Sequence, residues 1–455
     1  MRWIASGLVF AAGSVATAAM TMPNVFGDHM VVPRGTQMPV WGWDTPGQAV
    51  EVSASWGAKA SATAGVDGAW RAVISTPRAG GPFTLTVRGS ESRTLNNVLS
   101  GDVWLCSGQS NMEKWVGPQP GQVAINNSAA EVAAANYPNI RLLKVARKRA
   151  NTPQTTFEGT WNPTTPATIA QFSATGYFFG RELHQVLGIP IGLIDSSVGG
   201  TAVEEWMHTE TLATFPFMTE RLKQENTRTG TLYNAMIHPL KGFPVKGVIW
   251  YQGEANVGRP AEYLPLFKAF TEDWRKDFGA DTPFYAVQIA PWSGYNAGDN
   301  PAQIRDAQFR AIDLRGVGVV PTLDITGDLN DIHPTNKLDV GTRLAKWALR
   351  FDYGRPVVFS GPLFDSAVVE PGAIRVRFRH ADGLKAGDYL VRGFEIAGAD
   401  GKFVSATALI SGTEVVVFSS RVENPKWVRY AWSEDLRANL MNGAGLPAPT
   451  FRTGP

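Results

Sequence analysis

Between about residues 98 and 355 the sequence alternates short apolar runs with helical spacing, and this restricts the fold more than any other feature. The runs are Val103-Trp104-Leu105-Cys106, Ile191-Gly192-Leu193-Ile194, Gly247-Val248-Ile249-Trp250-Tyr251, Phe284-Tyr285-Ala286-Val287 and a weaker Val317-Gly318-Val319-Val320. A strand that is apolar on both faces needs cover on both faces, as in a parallel sheet lying between helices. Two such helices are legible. Phe179, Leu183, Val186 and Leu187 fall at i, i+4, i+7 and i+8, and Gly188 and Pro190 follow in the order that ends a helix. Val340, Leu344, Trp347 and Ala348 repeat the spacing. The expected fold class is α/β, a mostly parallel sheet with helices on both faces.

The flanks differ in texture. Ala49-Val50-Glu51-Val52-Ser53 and Phe83-Thr84-Leu85-Thr86-Val87 alternate as half-buried strands do, and turn residues separate them, which predicts a small β-sandwich over 20–97. Ile374 to Arg379, Thr413 to Ser419 and Trp427 to Trp432 predict a second β-rich part over 356–455, leaving 98–355 as the α/β part. Residues 1–19 read as a cleaved export signal: Met1-Arg2-Trp3 is positive, Ile4 to Val15 is mostly apolar, and Ala16-Thr17-Ala18 offers small residues for cleavage. A secreted or periplasmic location follows as an expectation. No later stretch is long and apolar enough to span a bilayer.

Charge and cysteine content exclude whole classes of partner. Lys and Arg total 42 against 40 Asp and Glu in 455 residues, a net charge of +2 without any long run of one sign. Nucleic acid binding needs a clustered basic excess, so it is not expected. Cys106 is the single cysteine, which rules out an intrachain disulfide and a CxxC motif. There is no HExxH, EF-hand or Cys/His ligand spacing, so neither a metal nor another cofactor is implied. Oligomeric state is not legible in the sequence.

Ligands of open α/β sheets sit beyond the carboxyl ends of the strands. The first run leads into Ser107-Gly108-Gln109-Ser110-Asn111-Met112, the second into Asp195 to Trp206 with Gly199-Gly200, the third into Gln252-Gly253-Glu254-Ala255-Asn256, and the last, further on, into Asp331-Ile332-His333-Pro334. Ser110 is the leading nucleophile, set after a strand by a glycine, although a lone loop serine is more often a cap. It has no GxSxG surround. Of six histidines, His333 alone follows the last strand and has a carboxylate, Asp331, two residues before it, as a general base requires. Backbone N–H groups of Ser110 and Gly200, and the side-chain amide of Gln252 or Asn256, are candidate oxyanion donors. Glu204 and Glu254 are either buried acids tied to loop backbone or, for Glu254, an orienter of His333 in place of Asp331. Trp104, Trp115, Trp206, Trp250 and Trp292 lie in or near these loops, where flat rings either fill a core or stack on sugar faces.

These pieces together resemble the sialate O-acetylesterase family, carbohydrate esterases of the SGNH hydrolase superfamily. The resemblance rests on Gly108-Gln109-Ser110-Asn111-Met112, Gly199-Gly200-Thr201 with Glu204 and Trp206, Trp250-Tyr251-Gln252-Gly253-Glu254 with Asn256, and His333-Pro334 with Lys337, Gly341 and Arg343. It implies the three-layer SGNH fold with β-rich accessory parts, Ser110 as nucleophile, His333 as base, and Gly200 with the Gln252–Asn256 loop as oxyanion donors. Gln109, Glu204, Trp206 and Glu254 enter as substrate-binding residues or, for Glu254, as the alternative acid. The superfamily's acid often lies three residues before the histidine, here Asn330, whereas this chain has Asp331 two before. The stretch between Trp206 and Tyr233 is short, which predicts an open or reshaped cleft. The implied function is a secreted serine esterase that removes acetyl groups from sialic acid or from plant or microbial polysaccharide. A catalytically silent carbohydrate-binding protein, an SGNH lipase or thioesterase, and a peptidase are the competing expectations.

Overall fold

The computed structural model describes residues 19–296, 300–387, 390–434 and 438–454; the expected export signal falls almost wholly outside them. The central sheet contains β1 (Ser92–Gly108), β2 (Tyr137–Lys144), β3 (Trp161–Thr164), β4 (Ile191–Ser197), β5 (Gly247–Tyr251), β6 (Phe284–Val287) and β7 (Val317–Val320). Their spatial order is β7-β6-β5-β1-β4-β2-β3, parallel throughout except for the β2–β3 pair at one edge. All five apolar runs are strands of this sheet.

Alternation along each strand divides the core in two. Leu105, Val248, Trp250 and Phe284 point into one core, which they share with Phe267, Phe270 and Trp274 of helix α2 (Pro260–Phe278). Trp104, Ile249, Tyr251 and Tyr285 point into the other, with Phe179 and Leu183 of α1 (Ala174–Leu187) and Val340 and Leu344 of α4 (Lys337–Phe351). Each fully buried aliphatic or phenyl side chain contributes about 1.5–3 kcal/mol, so two such cores fix the strand ends that carry the polar loops. Helix α3 (Pro301–Arg310) packs beside α2. Both expected helices form, with Gly188 as the left-handed cap of α1 at φ 67°. Val186 is corrected: it is 41 % exposed, because α1 buries Tyr177, Phe178 and Phe179 instead.

The flanks are β-rich. Before the central sheet, Gln37–Trp43 pairs with Ala69–Ser75, while Ala49–Ala54, Lys59–Thr63 and Gly80–Arg88 join the first half of β1. The expected boundary at 97/98 thus falls inside one 17-residue strand that continues from the N-terminal strands into the central sheet. Towards the C-terminus a four-stranded sheet, Leu363–Glu370 to Ala373–Arg379 to Glu414–Phe418 to Thr407–Ser411, accompanies a second built on Phe394–Ala397 and Trp427–Tyr430. Wholly buried Arg305 of α3 holds this region, donating to Glu434 at 2.7 and 2.9 Å and to Ala431 O at 3.2 Å. No described helix is long and apolar enough to cross a membrane.

Candidate active site

β1 lies between β4 and β5, with Gly108 opposite Ser197 on one side and Tyr251 on the other. The loops after these three strands therefore meet at one place on the carboxyl edge. Gly108 has φ +138°, and a Cβ there would lie 2.1 Å from Tyr251 O, so glycine alone permits the close approach. Gln109 N–H donates to Tyr251 O at 2.9 Å, and the chain turns into a single helical turn, Ser110–Glu113. Ser110 is half-buried and its hydroxyl makes no hydrogen bond among the described residues.

The amides expected near the oxyanion are turned inward. Gln109 Oε1 accepts from Ala255 N–H at 3.2 Å, Gln252 Nε2 at 3.3 Å and Gly253 N–H at 3.4 Å. Gln252 Nε2 also donates to Asn256 Oδ1 at 2.7 Å and Thr201 O at 3.1 Å. Asn256 Oδ1 accepts from Val203 N–H at 3.1 Å, and its Nδ2 donates to Glu204 Oε2 at 2.9 Å. Glu204 is closed off by Arg259. Gln252 and Asn256 are wholly buried, so both side chains, like Gln109 and Glu204, fasten the loops together from behind. Trp206 is also corrected as a stacking face: it is 0 % exposed, edge-on to Trp250, with Nε1 donating to Thr201 Oγ1 at 3.0 Å. Gly200, with φ +71°, is exposed, one residue beyond Gly199, which lies against Ser110.

The histidine arrives from beyond β7. His333 Nδ1 lies 3.3 Å from Asp331 Oδ1, which also accepts the His333 N–H at 2.9 Å. The imidazole does not bond to Ser110; the two loops are joined one residue away on each side, where Asn111 Nδ2 donates to Ile332 O at 3.0 Å. Contacts of this kind often tighten only when substrate is bound. Asn111 Nδ2 also donates to Glu254 Oε1 at 2.6 Å, and Asn111 Oδ1 accepts from Lys337 Nζ at 2.5 Å. Glu254 thus engages Asn111, leaving Asp331 as the carboxylate at Nδ1. Its Oε2 is buried and unpartnered, and burial pushes its pKa up.

Electrostatics favour a neutral His333. Burial, then the Lys337 and Lys114 ammonium groups, push His333 down to about 4, against the opposing pull of Asp331. Lys337 is itself pushed down to about 7, by burial and by Lys114. Both lysines are 1 % exposed. The described partners of four other histidines are structural: His29 meets Asn97, His184 the Ile189 carbonyl, His208 Asp277 and His238 the Gln154 carbonyl. Sequence reasoning did not single out Lys114, Glu113 or Gly199 by themselves. The available signal was local, since Glu113 lies one helical turn beyond Ser110 on the same turn.

A half-buried serine, a histidine–aspartate pair and an exposed glycine loop on the carboxyl edge of a parallel α/β sheet have the layout of an ester hydrolase. The family model described as carbohydrate esterase, sialic acid-specific acetylesterase, matches residues 100–350. The chain is 32 % identical over 373 residues to the sialate O-acetylesterase of Homo sapiens, covering 71 % of this chain and 69 % of that protein. It is 30 % identical over 402 residues to the one from Mus musculus, covering 71 % and 72 %. The crystal structure of a carbohydrate acetylesterase from Xanthomonas citri is similar with a TM-score of 0.88 and 39 % identity, over 96 % of this chain and 100 % of that one. The chain belongs to this family of sialic acid-specific acetylesterases and is a carboxylic ester hydrolase.

Proposed function

We propose that the protein is an exported serine esterase that removes O-acetyl groups from a carbohydrate through an acetyl-Ser110 intermediate. The fold is read as the three-layer SGNH hydrolase arrangement with β-rich parts before and after it. His333 Nε2 takes the Ser110 proton as Oγ attacks the acetyl carbonyl carbon. The electron pair displaced from the carbonyl gathers on its oxygen, which faces the N–H groups of Ser110 and Gly200, with the Gln252–Asn256 loop fixed behind them. Collapse expels the sugar oxygen, which receives the proton from His333. Water then gives a proton to His333, attacks the acetyl-serine and releases acetate, and the proton returns to Ser110. Asp331 holds Nδ1 and offsets the imidazolium charge as it forms.

The observation that carries this reading is Asn111. This single side chain, adjacent to the serine, binds the backbone of Ile332, adjacent to the histidine, at 3.0 Å. Two polar loops far apart in sequence are thereby held within one residue of each other at a sheet edge. The substrate is an O-acetylated sugar, either sialic acid or a plant or microbial polysaccharide. The test is acetate release by the mature protein and by Ser110→Ala, with 9-O-acetylated sialic acid, acetylated xylan and acetylated xyloglucan offered side by side. Release from one of them by the unmodified protein alone is the expected result. Release undiminished in Ser110→Ala sinks the assignment, and no release from any, with p-nitrophenyl acetate also untouched, replaces it with silent glycan binding.

A further inference from the structure

We infer that Glu113 is a positioning residue that fixes the Gly199–Gly200 loop against the serine turn, with Arg147 as its clamp. The inference rests on the proposed roles of Ser110 and Gly200 and adds the group that sets the distance between them.

Glu113 ends the helical turn that Ser110 begins. Glu113 is only 3 % exposed, and a carboxylate so buried costs free energy unless its oxygens are bonded. Both are. Oε2 accepts the Gly199 N–H at 2.9 Å, and Oε1 pairs with the Arg147 guanidinium. A methyl group on Gly199 would stand 3.2 Å from Glu113 Oε2 and 3.3 Å from Ser110 Cβ, so the glycine loop already rests on the serine turn. Arg147 reaches the same place because β2 runs beside β4 in register, Lys144 opposite Asp195, and both chains leave the sheet at its carboxyl edge.

The consequence is geometric. An oxyanion donor works when its N–H lies where the charge will develop, before the reaction begins. Gly200 is exposed with φ +71°, and its N–H makes no hydrogen bond among the described residues, so no bond of its own limits its freedom to turn. The bond at Gly199, one residue earlier, removes that freedom. Because Glu113 and Ser110 share one helical turn, the nucleophile and the donor are referred to the same rigid piece.

The experiment compares Glu113→Ala, Glu113→Gln and Arg147→Met with the unmodified protein, using acetate release and the rate of inactivation by a serine-directed phosphonate. The phosphonyl oxygen occupies the oxyanion position, so its inactivation rate reads donor placement separately from sugar binding. Glu113→Ala should lower kcat by about 10²–10³-fold with KM changing little, and phosphonate inactivation should fall in parallel. Glu113→Gln keeps an oxygen acceptor for the Gly199 N–H and should recover most of the loss. Arg147→Met should lower kcat by a smaller factor. Unchanged kcat and phosphonate rates in Glu113→Ala overturn the inference, as does a loss that Glu113→Gln does not recover. If Glu113→Ala fails to fold, an unchanged kcat in Arg147→Met overturns it. Failure of the underlying reading looks different: the unmodified protein would then not be labelled at Ser110 at all.

Discussion

The two halves of the site are held by different means. On the serine side, Gln109, Gln252, Asn256 and Glu204 are all buried, and each bonds across loops that leave neighbouring strands in fixed register. On the histidine side, Asp331 and His333 are half-buried in a long segment between β7 and α4. That segment is fastened near the histidine by Asn111, by Trp292, whose Nε1 donates to Asn330 O at 3.1 Å, and by Ser293, whose hydroxyl donates to Leu329 O at 2.9 Å, and nearer β7 by Arg343, which pairs with Asp324 and donates to Pro321 O at 2.9 Å. The difference follows what each half must do. A donor for a developing oxyanion has to be in place beforehand, whereas a base has to be neutral and free to exchange a proton. Buried side-chain amides tie the serine side together, while charged groups both fasten the histidine side and tune its imidazole.

The comparison breaks most readily at the base. His333→Ala should lower kcat/KM by about 10²–10⁴-fold without moving the thermal midpoint much, since its side chain holds no loop in place. Asp331→Asn should cost less than that, and Glu254→Gln less again, because Glu254 reaches Asn111 and not the imidazole. A larger loss for Glu254→Gln than for Asp331→Asn would reassign the orienting acid.

A cut on the serine side should instead appear in stability. Gln109→Ala leaves the Gly253 and Ala255 N–H groups without their acceptor. Unsatisfied buried groups cost about 1–3 kcal/mol each, so chemical denaturation should show a clear fall in midpoint alongside reduced activity. Full stability with reduced activity would mean that this network is softer than its hydrogen bonds imply.

The smallest expected effect is a shift rather than a loss. His333 works as a base only when neutral, and its pKa is pushed down to about 4, below the ordinary imidazole value of 6.5. The acidic limb of kcat/KM should therefore lie below 6.5. Lys337→Met removes a neighbouring cation, which favours imidazolium, raises the imidazole pKa and moves that limb to higher pH. Measured pH profiles that coincide for the two proteins would remove Lys337 from the tuning of the base.

The parts of the fold that were legible share a physical cause. β4 to β7 and the middle of β1 are buried on both faces, so their sequences are continuous apolar runs. β2 is not: Tyr137-Pro138-Asn139-Ile140-Arg141 looks like a turn, and buried Arg141 is accommodated by donating to Pro138 O in its own strand and to His29 O, Asn97 O and Asn97 Oδ1 elsewhere in the fold. Helix α2 carries Pro265 in its interior, a local signal against a helix that the burial of Phe267, Phe270 and Trp274 overrides. At the site, Ser110, Gly200 and His333 were visible because strand ends and glycines mark positions. The directions of the Gln252 and Asn256 amides were not, since distant partners set them. Glu113 was hidden for the same reason, its partner Gly199 being 86 positions away.

Ser110 as the nucleophile is the claim on which the rest depends, and stoichiometric labelling tests it most directly. The protein would be titrated with a serine-directed phosphonate while acetate release is followed, and the modified peptide identified by mass. The account predicts one phosphonyl group per chain, carried on Ser110, with activity falling in step with labelling. Acetate release that persists once Ser110 is fully labelled would contradict it.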